Sequence, residues 1–238
     1  MKFKAVFFDL DGTLLPMDQD DFIKAYLGGL VGLLAPKGYD PKAIAGALWA
    51  STGAMVKNDG RKSNEAVFWD NFCAILGEGV RSEEPALEVF YKTEFQKVKN
   101  VCGYSPLARE IVDALRGAGI TVVLATNPLF PAIATESRIR WAGLEPSDFA
   151  KYTTYENSRY CKPNLKYYEE LLAELGLSGE DCLMVGNDVD EDMITEKLGM
   201  STFLLTDNLI NKGDEDISRF RKGEFTELLD YVKEIINE

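Results

Sequence analysis

The chain begins with a short apolar segment that leads into two acidic residues. Residues 3–10 are almost continuously hydrophobic, which is typical of a parallel β-strand covered on both faces. Asp9 and Asp11 lie two residues apart, where this segment runs into a Gly-Thr turn. Because side chains alternate along a strand, both carboxylates are expected on one face if the strand extends through Asp11. One carboxylate could then attack phosphorus while the other transfers a proton.

The proximity of these two acids also predicts a bound cation. Two carboxylates this close repel each other, and a divalent cation would compensate their charge. Mg²⁺ is expected, because a hard cation prefers oxygen ligands. For this segment taken alone, an ordinary strand ending in an Asp-Gly turn is the alternative, so its interpretation depends on the rest of the chain.

Three later segments also carry polar residues at the ends of apolar runs or ahead of a helix. In chain order they contain Thr126 with Asn127, then Lys162, then Asn187, Asp188 and Asp192. The ordered set resembles the motifs of the haloacid dehalogenase-like hydrolases. Members of that family carry an Asp-x-Asp-x-Thr strand end, a Thr or Ser after a second strand, a Lys ahead of a helix, and an acidic pair after a fourth strand. The resemblance spans most of the chain.

The resemblance implies an α/β fold, with a Rossmann-like doubly wound parallel sheet and an inserted all-helical cap domain. Strand and helix patterns alternate after residue 105, as a parallel sheet with right-handed crossovers requires. The spacing predicts strands at 121–125, 151–155, 183–185 and 202–205, and helices at 133–142, 165–175 and 191–197. A last apolar stripe predicts a docking helix and consists of Phe225, Leu228, Leu229, Val232, Ile235 and Ile236.

The block between the first and second strands is helical in pattern. Apolar residues recur at helical spacing over 21–35, 41–56, 63–76 and 82–98. This block resembles the cap that many family members insert at this point. We therefore expect a core formed by residues 1–15 and 101–238 and a cap formed by residues 16–100. Such a cap could close over the site and exclude water.

The resemblance also implies catalytic roles. Asp9 would attack phosphorus and form an aspartyl-phosphate, while Asp11 would protonate the leaving alcohol and then deprotonate water. Thr126 would hydrogen-bond a phosphoryl oxygen, with Asn127 beside it as a further substrate contact. Lys162 would stabilise both the phosphate and Asp9.

The metal ligands implied by the resemblance are the Asp9 side chain, the Asp11 backbone carbonyl and Asp188. Relatives space their two acids four or five residues apart. The shorter spacing pairs Asp188 with Asp192, and the longer spacing pairs Asn187 with Asp192. Asp188 is the preferred ligand, because an anionic oxygen binds Mg²⁺ better than an amide does.

The other polar residues of this segment are not expected to coordinate the metal directly. Asn187 and Asp192 are placed in the second coordination shell, with Asp192 acting through water or Lys162. Asp190 and Glu191 are interpreted as the solvated, acidic start of a helix.

The second acid also separates reaction types. Dehalogenating relatives lack an acid at the position of Asp11, so its presence favours Mg²⁺-dependent hydrolysis of a phosphomonoester, a small phosphorylated metabolite. A sugar phosphomutase of the same family is the alternative enzyme. A receiver-like phosphoacceptor signalling protein is the alternative from another class, although it would not need an insertion of ~85 residues.

Composition excludes several other functions. The chain has no histidine, so serine-histidine triads and His-Glu-x-x-His zinc sites cannot form within it. A net charge of −13 argues against a nucleic acid polymer or an anionic membrane as a partner. The four cysteines show no paired framework, and no signal peptide is evident, so a cytoplasmic location is expected. The oligomeric state stays open.

The cap is expected to contribute to substrate recognition, and the sequence contains candidate residues for this role. The candidate polar contacts, each of which could equally be a solvated turn residue, are Lys24, Lys57, Asn58, Arg61 and Lys62. The candidate aromatic wall, which core packing explains equally well, consists of Tyr26, Trp49 and Trp69.

Overall fold

A computed structural model describes residues 3–237 of the chain. Its six strands form one parallel sheet in the order β3-β2-β1-β4-β5-β6. The strands are β1 Ala5–Phe8, β2 Thr121–Leu124, β3 Lys151–Tyr152, β4 Cys182–Gly186, β5 Ser201–Leu205 and β6 Lys222–Gly223. This topology confirms the Rossmann-like doubly wound sheet. The short edge strand β6 was not predicted.

The central strand β1 is covered on both faces, as its apolar sequence predicts. Val6 and Phe8 pack into the larger hydrophobic cluster, which includes residues of the helices on one side of the sheet. Ala5 and Phe7 pack into a second cluster with Tyr168 on the other side. The alternation of a strand thus divides one continuous apolar run between two cores.

An all-helical insertion follows β1 and forms the expected cap. It contains α1 Gln19–Leu34, α2 Pro41–Val56, α3 Asn64–Leu76 and α4 Glu84–Lys92. The chain enters and leaves this insertion side by side, because the Gly103 amide donates to the Pro16 carbonyl at 2.7 Å. Domain limits at residues 15 and 100 stay a prediction.

The single helix predicted over 82–98 is wrong in extent. The segment consists of a 3₁₀ helix at Glu78–Glu83, α4, and a second 3₁₀ helix at Glu94–Val101. The helix breaks at Thr93, whose backbone leaves the helical region with φ −124° and ψ −84°. Its hydroxyl donates to the Val89 carbonyl at 2.8 Å, a local bond that accompanies the break.

The remaining helices cover the sheet. They are α5 Pro106–Gly117, α6 Ala132–Trp141, α7 Leu165–Leu175 and α8 Phe225–Asn237. The apolar stripe of α8 is confirmed, since five of its six residues are buried and Ile236 packs against the core. The helix predicted over 191–197 is wrong in type, because the structure has a 3₁₀ helix at Met193–Leu198 there.

Two further features concern the cysteines and the character of the helices. All four cysteines are free. Within residues 3–237, no helix combines the length and apolar character needed to cross a membrane.

Candidate active site

The ends of three neighbouring strands bring the motif residues to one edge of the sheet. The Asp9 amide donates to the Val185 carbonyl of β4 at 2.9 Å, and the Ala125 amide donates to the Phe8 carbonyl at 2.7 Å. From β1 the chain adds β2 and β3 on one side of the sheet and then β4, β5 and β6 on the other, so the strand order reverses between β1 and β4. Ligands of such sheets bind at this point.

A cavity of about 150 Å³ opens at this edge. The motif residues that line it are Asp9, Asp11, Thr126, Asn127, Asn187, Asp188 and Asp192. The strand ends at Phe8, so Asp11 lies in a turn and strand alternation does not place the two carboxylates together. The tight turn at Gly12, with φ +85°, brings Asp11 to the same cavity instead.

Lys162 is buried between two carboxylates. Its ammonium donates to Asp9 Oδ1 at 2.9 Å and to Asp192 Oδ1 at 2.6 Å, and its side chain is 0% exposed. Burial alone would lower the pKa of Lys162, but the adjacent Asp192 and Asp9 raise that pKa well above its usual value. The ammonium is therefore a permanent positive charge directly beside Asp9.

Asp11 is paired with a different cation. Arg138 of α6 is fully buried, and its guanidinium donates to Asp11 Oδ2. The same guanidinium donates to Thr135 Oγ1 at 3.3 Å and lies over the Phe130 ring. Burial raises the pKa of Asp11, while the charge of Arg138 acts in the opposite direction. Asp11 Oδ1 is buried and accepts no hydrogen bond from the described residues.

The two carboxylates expected to bind the metal each use one oxygen for hydrogen bonds within the protein. Asp9 uses Oδ1 for Lys162, and Asp188 uses Oδ1 to accept the amides of Asp190 and Glu191 at 2.9 and 3.0 Å. The second oxygen of each makes no hydrogen bond within residues 3–237. No group of three or more acidic, Cys or His side chains in that range is arranged as a metal site. Two carboxylates with a backbone carbonyl fit Mg²⁺, which keeps several waters and substrate oxygens as ligands.

Asn187 and Asp192 hold the loops of the site. Asn187 accepts from Thr13 Oγ1 at 3.0 Å and donates to the Asn208 carbonyl at 2.6 Å, so both ends of its amide are engaged. Asp192 Oδ2 accepts the Asp188 amide at 3.1 Å. Gly186 is required beside it, because a Cβ there would collide with the Asp192 carboxylate.

Thr126 and Asn127 follow β2 and line the cavity. The Thr126 carbonyl accepts from Thr153 Oγ1 at 2.6 Å and from the Tyr167 hydroxyl at 2.9 Å, which fixes the loop. The Thr126 hydroxyl itself makes no hydrogen bond within the described residues. Asn127 Nδ2 donates to Glu191 Oε2 at 3.0 Å, and its buried Oδ1 has no partner among them.

Glu191 was interpreted wrongly from the sequence. It lines the cavity instead of extending into solvent, and burial raises the pKa of its carboxyl. No helix starts at this position: the Asp188 carboxylate caps the amides of residues 190 and 191 in a loop. Asp190 is exposed, as expected.

Arg138 was missed by the sequence argument. Its position on α6 indicates that the side chain is buried, because Arg138 lies four residues after Ala134 and three before Trp141, on a buried face of the helix. An arginine on such a face requires a buried partner. The sequence does not name that partner, because Asp11 is 127 residues away.

A family model described as haloacid dehalogenase-like hydrolase matches residues 3–195. The chain belongs to the haloacid dehalogenase-like hydrolases. No curated protein matches the chain.

Solved structures of this hydrolase family share the fold of the chain at low identity. A HAD phosphatase from Thermococcus onnurineus is 19% identical with a TM-score of 0.61, covering 97% of this chain and 98% of its own. A 2-haloacid dehalogenase from Pseudomonas syringae pv. Tomato is 20% identical with a TM-score of 0.64, covering 98% and 99%. The YfnB hydrolase from Bacillus subtilis, solved with magnesium bound, is 17% identical with a TM-score of 0.56, covering 98% and 100%.

Proposed function

We propose that this hydrolase is a Mg²⁺-dependent phosphatase, which cleaves a small phosphorylated metabolite through an aspartyl-phosphate on Asp9. The observation that carries the proposal is the second acid, Asp11, in the same cavity as Asp9 and with an unpaired oxygen. Cleavage of a phosphate ester releases a basic alkoxide, which needs a proton, whereas a departing halide does not. Asp11 therefore favours phosphoryl transfer over dehalogenation.

In the first step, a carboxylate oxygen of Asp9 attacks phosphorus and the ester P–O bond breaks. Protonated Asp11 gives its proton to the leaving oxygen, so the alcohol departs neutral. Lys162 donates to Asp9 Oδ1 at 2.9 Å, which fixes the orientation of the whole carboxylate for attack. The hydroxyl of Thr126 is free to donate to a phosphoryl oxygen.

In the second step, the ionised Asp11 takes a proton from water. The water oxygen attacks phosphorus, the bond from phosphorus to Asp9 breaks, and inorganic phosphate leaves. Asp9, Asp188 and the Asp11 carbonyl would hold Mg²⁺, which supplies positive charge against the phosphate oxygens when bound. Ester and water are thereby converted into alcohol and phosphate.

Two neighbours support this reaction type, without establishing it for this chain. One is the HAD phosphatase from Thermococcus onnurineus. The other is a predicted phosphoglycolate phosphatase from Haemophilus somnus, 17% identical with a TM-score of 0.56 and covering 97% of this chain and 98% of its own.

Phosphate release tests the proposal. Wild type and Asp9→Asn are assayed on a panel of phosphomonoesters that includes 4-nitrophenyl phosphate, with Mg²⁺ or with EDTA. The proposal expects metal-dependent release that the substitution lowers by at least ~10⁴-fold. Asp20→Asn, an exposed change, is the matched control and keeps full activity. Phosphate release that persists in Asp9→Asn would refute the assigned nucleophile, and a wild type that moves phosphate between substrate positions without release would be a mutase.

A further inference from the structure

A second, larger cavity lies under the cap. It measures about 300 Å³ and is lined by residues of helices α1 to α4 and α6 and of the loops after β2 and β3. Its lining is mainly aromatic and aliphatic, and the aromatic members are Tyr26, Trp49, Phe68, Trp69, Phe72, Tyr91, Phe130 and Tyr155. The volume is about twice that of a cavity that holds benzene, so it accommodates a body larger than one ring.

The two cavities are adjacent and share part of their lining. Ile23, Leu129 and Phe130 line both the catalytic cavity and the apolar one. A phosphate ester bound with phosphorus at Asp9 would place its alcohol in the catalytic cavity, next to these three shared side chains. The cap cavity on their other side is the adjacent space into which the leaving group would extend.

The charge of the lining selects against anions. Among the described residues that line the apolar cavity, none is Lys or Arg, whereas four are glutamates: Glu65, Glu84, Glu88 and Glu156. Arg81 lies over the Trp69 ring outside the lining, where it pairs with Glu84 at 3.4 Å. Glu88 also pairs with Lys92 at 2.5 Å, so two of the four glutamates already have a cation as partner. A second phosphate or a carboxylate on the substrate would find no cation among the lining residues to pair with.

The polar atoms of two central aromatic residues are already satisfied. The hydroxyls of Tyr26 and Tyr91 hydrogen-bond to each other at 2.9 Å, so these residues offer ring surface to a ligand. Against these two rings a polyol would find no partner for its hydroxyls, while an apolar group would bury its area favourably.

We propose that the substrate is the phosphate monoester of an uncharged, apolar alcohol of aromatic or comparable bulk, whose body occupies the cavity under the cap. This inference rests on the proposed phosphatase function, since it concerns the leaving group of that reaction. It excludes sugar bisphosphates and phosphorylated acids as preferred substrates.

Alkyl esters with similarly basic leaving groups test the substrate class. The kcat/KM values for 2-phenylethyl phosphate, glycerol 3-phosphate, 3-phosphoglycerate and phosphocholine are measured with Mg²⁺. We expect 2-phenylethyl phosphate to be preferred by at least ~10-fold, from burial of its ring. Equal or better turnover of any of the other three would overturn the substrate class while leaving the phosphatase function intact. Absence of release from every ester, 4-nitrophenyl phosphate included, would instead refute the phosphatase function.

A cap variant tests whether the apolar cavity carries the preference. Trp49 lines it and is 53% exposed, so Trp49→Ala is tolerated by the fold. This variant should lower kcat/KM about 3-fold or more for 2-phenylethyl phosphate and leave glycerol 3-phosphate unchanged. Ile75→Ala, on an exposed residue outside the lining, should change neither value. An unchanged ratio between the two esters in Trp49→Ala would contradict the proposal.

Binding of the product alcohol supplies a readout that is independent of catalysis. Trp49 and Trp69 line the cavity, so 2-phenylethanol should change the tryptophan fluorescence of metal-free Asp9→Asn in a saturable way. Glycerol at the same concentrations should not. A response absent for 2-phenylethanol, or equal for both alcohols, would overturn the proposed occupant even if the enzyme proved to be a phosphatase.

Discussion

The catalytic edge of the sheet and the cavity under the cap are lined by opposite kinds of residue. At the sheet edge, two carboxylates two residues apart each have a separate buried cation, Lys162 for Asp9 and Arg138 for Asp11. Under the cap, aromatic side chains surround a space bordered by glutamates. In the proposed reaction the two regions have different roles. The strand ends position the charged groups that react, and the cap helices form the cavity for the leaving group.

After replacement of the nucleophile Asp9, removal of Lys162 should have the largest effect. Lys162→Met leaves Asp9 and Asp192 without their shared cation, so we expect kcat to fall ~10²–10³-fold and the free energy of unfolding to fall by about 3 kcal/mol. Phosphate release and urea denaturation measure the two effects. Lys62→Met is the matched control, because Lys62 pairs with Asp70 in solvent and should contribute almost nothing. Similar losses of kcat and of stability in the two variants would contradict the larger contribution assigned to the buried cation.

Removal of the Asp11 carboxylate should have an effect that depends on the leaving group. Asp11→Asn cannot protonate an alkoxide, so kcat/KM for 2-phenylethyl phosphate should fall ~10²-fold or more. The loss for 4-nitrophenyl phosphate should be less than ~10-fold, because nitrophenolate departs without a proton. Equal losses for both esters would show that Asp11 does not act as the acid.

Removal of Arg138 should change the pH dependence. Burial raises the pKa of Asp11 and Arg138 opposes that rise, so Arg138→Met should raise the pKa further. Asp11 must be protonated for the first step, and the alkaline limb of the profile of kcat/KM against pH should therefore move to higher pH. Arg138→Lys keeps a positive charge and should shift the limb less. A shift to lower pH would contradict the assigned pairing.

The exposed basic residues of the cap should have the smallest effect. Lys24, Arg61 and Lys62 pair with neighbouring acids at the surface, and none lines either cavity. Their combined replacement by alanine should change kcat/KM by less than about 2-fold for any ester. A larger loss, confined to substrates with a second anionic group, would show that the cap recognises anions through these residues.

Residues that act through local chain geometry could be predicted from the sequence. The apolar run before Asp9, the run before Thr126 and the run before Asp188 each indicate a buried strand, and parallel strands end at a common edge. The structure brings these motif residues to one cavity, and their catalytic roles stay a prediction. The burial of Asp192 and its contact with Lys162 agree with the expected supporting position of Asp192.

Features that depend on distant contacts could not be predicted in the same way. Asp11 is paired with Arg138 across 127 positions, and Glu191 is drawn into the site by the loop that Asp188 caps. The cap cavity could not be predicted from the sequence either. Aromatic residues at helical spacing give the same pattern whether they fill a packed core or line a cavity. Tyr26 and Trp69 are buried while Trp49 is half exposed, yet all three line it.

Trapping the covalent intermediate is the most direct test of the account. Borohydride added during turnover of 4-nitrophenyl phosphate with Mg²⁺ reduces an acyl phosphate to an alcohol, which converts a phosphorylated aspartate into homoserine. Peptide mass spectrometry is expected to find homoserine at position 9, only when substrate is present. Homoserine at another aspartate, or ongoing phosphate release with no homoserine at position 9, would contradict the assignment of Asp9 as the nucleophile.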